Sequence, residues 1–135
     1  NDDKIARDKA LEILNAYPDI TGFVGTSVSA GSNMASVLKE KNNTDVKVVS
    51  LGIPSVSGPY LEEGFMVHAQ TWRPADAGYV SVNLAYKILS GEEIKDGIDL
   101  ERPGYESITI LDKVVYGDAP LELKKGTFEP DNYPF

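Results

Sequence analysis

The stretch Phe65-Met-Val-His-Ala-Gln-Thr-Trp-Arg-Pro-Ala-Asp-Ala-Gly-Tyr79 decides the fold. In its first half Phe65, Val67 and Ala69 alternate with Met66, His68 and Gln70, the two-residue period of a strand. Its second half opens a helix, because Pro74 suits the first helical position, where a missing N–H costs nothing. Trp72, the chain's one Trp, and the cation Arg73 fall at the carboxyl end of that strand. In open α/β sheets this edge is where ligands bind.

Working outward from this unit, the same alternation of elements recurs upstream. Asn1-Asp2-Asp3 supplies capping carboxylates to a helix ending near Tyr17, where Pro18-Asp19 stops it. Ile20 to Gly25 is expected to be a short buried strand centred on Phe23 and Val24, Thr26 to Gly31 a small polar loop, and Ala30 or Ser32 to Lys41 a second helix. After the turn Asn42-Asn43-Thr44, residues Val46 to Leu51 form a β-branched strand suited to coverage on both faces. Pro59 to Gly64 suggests a short helix. Downstream, the helix from Pro74 runs to Leu89 with Ala77, Val80, Leu84, Ala85 and Ile88 on one stripe, stopped by Ser90-Gly91.

The order αβαβαβα predicts an α/β fold with a parallel sheet flanked by helices. From Glu92 the pattern changes to Ser107 to Leu111, Val114 to Tyr116 and a turn-rich tail from Gly126. Three parallel strands are few for a sheet covered on two faces, so the chain is expected to be the later portion of a larger protein.

Composition narrows the chemistry. Hydrophobic residues at 41% and charged residues at 25% fit a globular domain, and 135 residues suffice for one core. No apolar run approaches the roughly 20 residues of a membrane span. A net charge of −8, with Lys and Arg scattered, argues against a nucleic-acid surface. Zero Cys excludes disulfides, thiolate metal sites and a Cys nucleophile, and a single His excludes a multi-histidine metal centre. His68, within a strand, suits a structural hydrogen-bonded role. The loop Gly25 to Gly31 lacks both the Lys of a phosphate loop and the spacing of a dinucleotide fingerprint, so no cofactor is implied. No catalytic constellation is found, and an enzyme is not expected.

Three loops, Gly25 to Gly31, Gly52 to Gly58 and Gln70 to Pro74, leave the carboxyl ends of the three expected strands and so share one edge. Thr26, Ser27, Ser29, Ser55 and Ser57 offer neutral hydroxyls there, Trp72 a flat apolar face and Arg73 a forked donor. That mix suits a small polyhydroxylated ligand. Equally, these are the residue types of ordinary βα loops, and a lone Trp fills a core more often than it serves as a platform.

Four segments carry a resemblance: Ala10-Leu-Glu-Ile-Leu-Asn-Ala-Tyr-Pro-Asp-Ile20, Val48-Val-Ser-Leu-Gly-Ile-Pro-Ser-Val-Ser-Gly-Pro-Tyr-Leu-Glu-Glu-Gly64, Thr71-Trp-Arg-Pro-Ala-Asp-Ala-Gly78, and the tail Asn132-Tyr-Pro-Phe135. Each is loose alone, but in this order and spacing they resemble the second half of a type I periplasmic-type solute-binding protein of an ABC importer, in the branch of the rhamnose and autoinducer-2 receptors. The resemblance implies a two-lobed fold, with residues 1–67 as second-lobe βα units, 68–98 as crossover and first-lobe helix, and 99–135 returning to the second lobe and tail. Ligand-binding is expected at Thr26, Ser27, Val28, Ile53, Pro54, Ser55, Trp72 and Arg73, of which the resemblance carries over Thr26 and Val28, where the autoinducer-2 receptors use backbone and small side chains, and the three loops nominate the rest; no catalytic or metal-binding residue is expected.

Thr26 stands where the family has Pro. An Asp that ribose-like receptors place at Gly52 or Ile53 is absent, as is a Gln near Trp72 and Arg73, which argues against a simple pentose or hexose receptor of that type. Implied partners are a small carbohydrate-like ligand, the membrane subunits of an ABC importer and an N-terminal half of the receptor, with no nucleic acid. The implied location is periplasmic or extracellular, with a lipid anchor on the full-length protein. Self-association of this chain is expected if the stripe of Val80, Leu84 and Ile88 lacks its partner lobe. The alternative from another class is the effector-sensing domain of a transcription regulator with the same fold.

Overall fold

The computed structural model describes residues 2–126. In chain order the elements are α1 (Asp3–Ala16), β1 (Gly22–Gly25), α2 (Val28–Glu40), β2 (Lys47–Leu51), α3 (Pro54–Glu63), β3 (Met66–Thr71), α4 (Pro74–Leu89), β4 (Thr109–Leu111), β5 (Val114–Tyr116) and β6 (Leu121–Leu123). They divide into two compact units, one running to Thr71 and resuming at Glu122, the other spanning Trp72–Leu121.

In the first unit β1, β2 and β3 pair in parallel, and β6 lies beside β3 in the order β1-β2-β3-β6. This is the expected α/β sheet with one strand more than the sequence suggested. Leu121-Glu122-Leu123 is too short, between Pro120 and Lys124, to stand out as a strand.

Local chemistry sets the helix starts. Asp2 caps α1, its carboxylate accepting from the Ile5 N–H at 3.1 Å. Ser27 caps α2 by accepting from the Ala30 N–H at 3.1 Å, which draws the helix start back to Val28, ahead of the expected Ala30 or Ser32. Helix α3 begins at Pro54 rather than Pro59: Pro54 takes the first helical position, and Pro59 sits inside the helix at the expense of one backbone bond. Gly64 ends α3 in the left-handed conformation at φ +81°, which glycine adopts without strain.

The core of this unit joins α1, α2 and α3 to one sheet face through Ala10, Met34, Val37, Leu38, Val48, Leu61, Met66, Ala69 and Leu123. Burying each large apolar chain of this kind contributes about 1.5–3 kcal/mol. The other sheet face is open. Strand β2 alternates exposed and buried residues, and Val24, Val49, Leu51 and Val67 are exposed, so the expected burial of β2 on both faces and of Val24 at a strand centre is corrected. A β-branched run marks a strand that can be covered twice; coverage depends on which elements are there to cover it.

In the second unit Val80, Leu100 and Ile108 form a small core with Leu84, Ile94, Ile98, Tyr105, Ile110 and Val115 packed around it. Strands β4 and β5 make an antiparallel hairpin whose two turn residues, Asp112 and Lys113, both have positive φ, the signature of a type I′ turn. The stripe expected to lack a partner is largely covered within this unit: Val80 is buried and Leu84 is partly buried against its small core, while Ile88 remains exposed. The expected turn-rich tail lies, past Gly126, outside the described residues.

Candidate functional site

Parallel pairing fixes the edge on which the loops emerge. Gly25 stands opposite Ser50, and Leu51 opposite Gln70, so the chain leaves β1 and β2 at the same side of the sheet. Ser50 locks this edge: its buried hydroxyl lies 3.1 Å from the Gly25 carbonyl and 3.0 Å from the Ser27 carbonyl. Side chains are excluded around it. A Cβ on Gly31 would fall 2.1 Å from the Ser50 Oγ, and one on Gly52 would fall 2.3 Å from the Ser57 Oγ. The two βα turns are therefore held by close backbone approach, which only glycine permits.

Six of the eight expected ligand-binding residues occupy these two turns. Thr26 is exposed directly after β1, Ser27 is half-buried at the α2 cap, and Val28 opens the helix. Ile53 precedes α3 with no side-chain cap bond, Pro54 is buried in its first turn, and Ser55 is exposed beside it. The pairing of β1 with β2 brings both groups to one edge, together with the positive ends of two helix dipoles. Ser27 accepts from the Ala30 N–H and is half-buried, so Thr26 and Ser55 carry the exposed hydroxyls of the six.

Two further hydroxyls are not available there. Ser57 is fully buried inside α3 with its Oγ unpartnered, and Ser29 lies in α2, where its hydroxyl donates to Asp3. A groove of about 400 Å³ runs between the helices, bounded by Asp3, Ser29, Asn33 and Tyr60, along the helix faces rather than at Thr26 or Ser55. His68 is half-buried in β3, and no group of three or more metal-ligating side chains occurs among the described residues.

Trp72 and Arg73 follow β3 in the chain and open the second unit. Trp72 is 51% exposed, so it does not fill the core of its unit. Arg73 precedes α4 as its cap residue, and its Nε lies 3.7 Å from an Asp76 oxygen. The other Asp76 oxygen lies 3.5 Å from the Nε of Arg102, whose guanidinium sits 3.5 Å above the centroid of the Tyr79 ring. The Tyr79 hydroxyl donates to Glu101 at 2.9 Å, and that hydrogen bond, with the charge of Glu101, holds the phenol above its ordinary range. Next to Arg73 and Asp76 is a cavity of about 120 Å³ walled by Pro103, Gly104, Ala119 and Leu121.

Sequence reasoning passed over Ser50, Asp76 and Arg102. A Ser inside the β-branched run Val48-Val49-Ser50-Leu51 was the available signal for the first. Asp76 reads as an ordinary first-turn carboxylate, and Arg102, 29 positions after Arg73, carries no local signal at all.

No family model matches the sequence. Among solved structures, the chain is similar to a sugar ABC transporter protein from Actinomyces odontolyticus (TM-score 0.81, 24% identity, covering 99% of this chain and 43% of that one). It is similar to LsrB from Clostridium saccharobutylicum, solved in complex with AI-2 (TM-score 0.72, 22% identity, 99% of this chain and 46% of that one). A third is an ABC transporter solute-binding protein from Clostridium phytofermentas with bound L-rhamnose (TM-score 0.73, 18% identity, 93% and 44%). The class is thus defined by fold: this chain has the α/β architecture of type I periplasmic binding proteins, which it shares with these three structures. It spans less than half the length of each of these three proteins.

Proposed function

We propose that the chain is part of a receptor that captures a small, neutral, sugar-like molecule for delivery to an ABC importer, acting by binding and not by catalysis. The observation that carries this reading is the shared edge at which Thr26, Ser27, Val28, Ile53, Pro54 and Ser55 meet, held by Ser50 and close-packed glycines, in a fold similar to that of a sugar ABC transporter protein and of LsrB in complex with AI-2. In the second unit Trp72 and Arg73 are ligand contacts in this proposal, the indole covering a C–H face and the guanidinium donating to oxygens.

Residues 1–67 act as second-lobe βα units, 68–98 as the crossover and a first-lobe helix, and 99–135 return to the second lobe, in a two-lobed receptor whose remaining wall comes from an N-terminal half. The working place is periplasmic or extracellular, with a lipid anchor on the full-length protein. The structural neighbours support this reading over the effector domain of a transcription regulator.

Fusing the upstream portion of the Actinomyces odontolyticus protein ahead of Asp2, then titrating L-rhamnose and AI-2 by calorimetry, tests the proposal. Enclosure by two walls should tighten binding by about a hundredfold over the chain alone, equivalent to about 2.7 kcal/mol. Equal affinities would overturn the two-lobed reading, and absence of binding by both proteins would overturn the sugar reading.

A further inference from the structure

Arg73 offers a fixed positive charge to any solute that reaches it, and an unaccompanied guanidinium favours anions. Its surroundings cancel that preference. Asp76 stands between two cations, its oxygens 3.7 Å from Arg73 and 3.5 Å from Arg102, and its side chain is only 17% exposed. Shielded from water, such a carboxylate acts on both neighbours with less screening than a surface group. Arg102 in turn lies against Tyr79, whose hydroxyl binds Glu101. Arg73 and Arg102 are thus matched by Asp76 and Glu101, and the connected network carries no net charge. The adjoining cavity adds apolar walls from Pro103, Ala119 and Leu121, which suit C–H surface and oppose a carboxylate.

We propose that Asp76 is a specificity-determining residue: by holding Arg73 within a neutral network, it makes the Arg73 site accept neutral hydroxyl-bearing solutes and turn away carboxylate-bearing ones such as sugar acids. The sugar part of this inference rests on Arg73 being a ligand contact; the electrostatic part stands on the geometry alone.

Trp72 reports on the site, since it is the only Trp, adjoins Arg73 and is half exposed. Its fluorescence is quenched by iodide, an anion, and by acrylamide, a neutral molecule, in the 135-residue chain. Asp76→Asn should raise the ratio of iodide to acrylamide quenching about twofold, the expected response to removing one negative charge near a half-exposed reporter. Asp76→Glu should restore the wild-type ratio. Glu93→Gln, which makes the same change in net charge at an exposed position, should leave it unmoved. Arg102→Gln, which removes a cation from the network, should lower the ratio, and it carries the test if Asp76→Asn does not fold by circular dichroism.

An unchanged ratio in Asp76→Asn and Arg102→Gln, or an equal rise in Glu93→Gln or Asp76→Glu, overturns the proposal. Titrating L-rhamnose and D-galacturonate into the receptor fusion by calorimetry gives the second arm, where Asp76→Asn should shift relative affinity about tenfold toward D-galacturonate. Binding of both with an unmoved ratio also overturns it. If the quenching responds while neither sugar binds, the charge role of Asp76 stands and the sugar-receptor reading falls.

Discussion

The two units of this chain differ in how fully each encloses its own apolar surface. Around Met34, Leu38, Leu61 and Met66, three helices close over one sheet face, and twelve hydrophobic residues are buried together. Only three, Val80, Leu100 and Ile108, are buried in the core of the second unit, and α4 leaves Val82, Tyr86 and Leu89 exposed at 72%, 70% and 87%. The better-packed unit has its own bare surface, the sheet face of Val24, Val49, Leu51 and Val67. What separates them is how much each layer covers: three helices on a sheet make a broad core, whereas α4 against the segment that carries Leu100 and Ile108 makes a small one. The candidate site follows the same division, with a glycine-packed edge in one unit and a charged network centred on the shielded Asp76 in the other.

The largest effect that would sharpen this contrast is a cavity in the first core. Leu38→Ala should cost about 3 kcal/mol of unfolding free energy in urea denaturation followed by circular dichroism, within the range for buried Leu truncations. Leu100→Ala should instead reduce hydrogen-exchange protection in α4 and leave α2 protected. Loss of protection in both helices would show that the two units unfold as one and would break the comparison.

Next in size is Trp72. Replacing it with Ala in the receptor fusion should weaken L-rhamnose binding about tenfold, or about 1.4 kcal/mol, with little change in stability. If Trp72→Ala unfolds the protein while Trp72→Phe leaves affinity untouched, the residue serves packing alone.

The exposed face of α4 predicts a concentration-dependent effect. Tyr79, Val82 and Tyr86, which line a shallow cavity of about 250 Å³, together with Leu89, form an apolar strip of the kind that drives association. The chain should self-associate in light scattering at high concentration, and Tyr86→Glu with Leu89→Glu should restore the monomer. A wild-type monomer at every concentration tested would refute it.

The smallest effect belongs to the Arg7–Glu40 ion pair, which ties α1 to α2 at the surface, with side chains 37% and 53% exposed. The hydrogen bond from Arg7 holds the Glu40 carboxyl below its ordinary value of 4.5. A lowered folded-state pKa means the pair stabilises above about pH 4.5 and that this contribution is lost as pH falls through the folded value. Arg7→Met should flatten that part of the acid limb of the stability profile. An unaltered acid limb would show that exposure has screened the pair to nothing.

Much of the fold was legible in the sequence because its signals are local. The alternation Met66 to Thr71 marks a strand whatever surrounds it, Pro74 and Gly64 fix helix ends by their own backbone chemistry, and Asp2 caps its helix within one turn. The loop residues Thr26, Ser27, Ile53 and Ser55 could be nominated on the same footing, since parallel order alone places the ends of β1 and β2 on one edge.

Other features were settled only when distant segments met. Ser50 locks the edge because Gly25 and Ser27 lie across the strand pair, and Gly52 has no room for a side chain because Ser57 and Ala69 close on it. Val24 and Val49 have the composition of core residues and are exposed, since burial depends on what stands opposite a side chain and not on its own hydrophobicity. The pairing of Arg73 with Asp76 was within reach as neighbours three residues apart, but Arg102 joins them only through the return of the chain after α4. Backbone propensities act over a few residues and are written in order along the chain; packing and charge balance act through space, and the tertiary structure alone decides them.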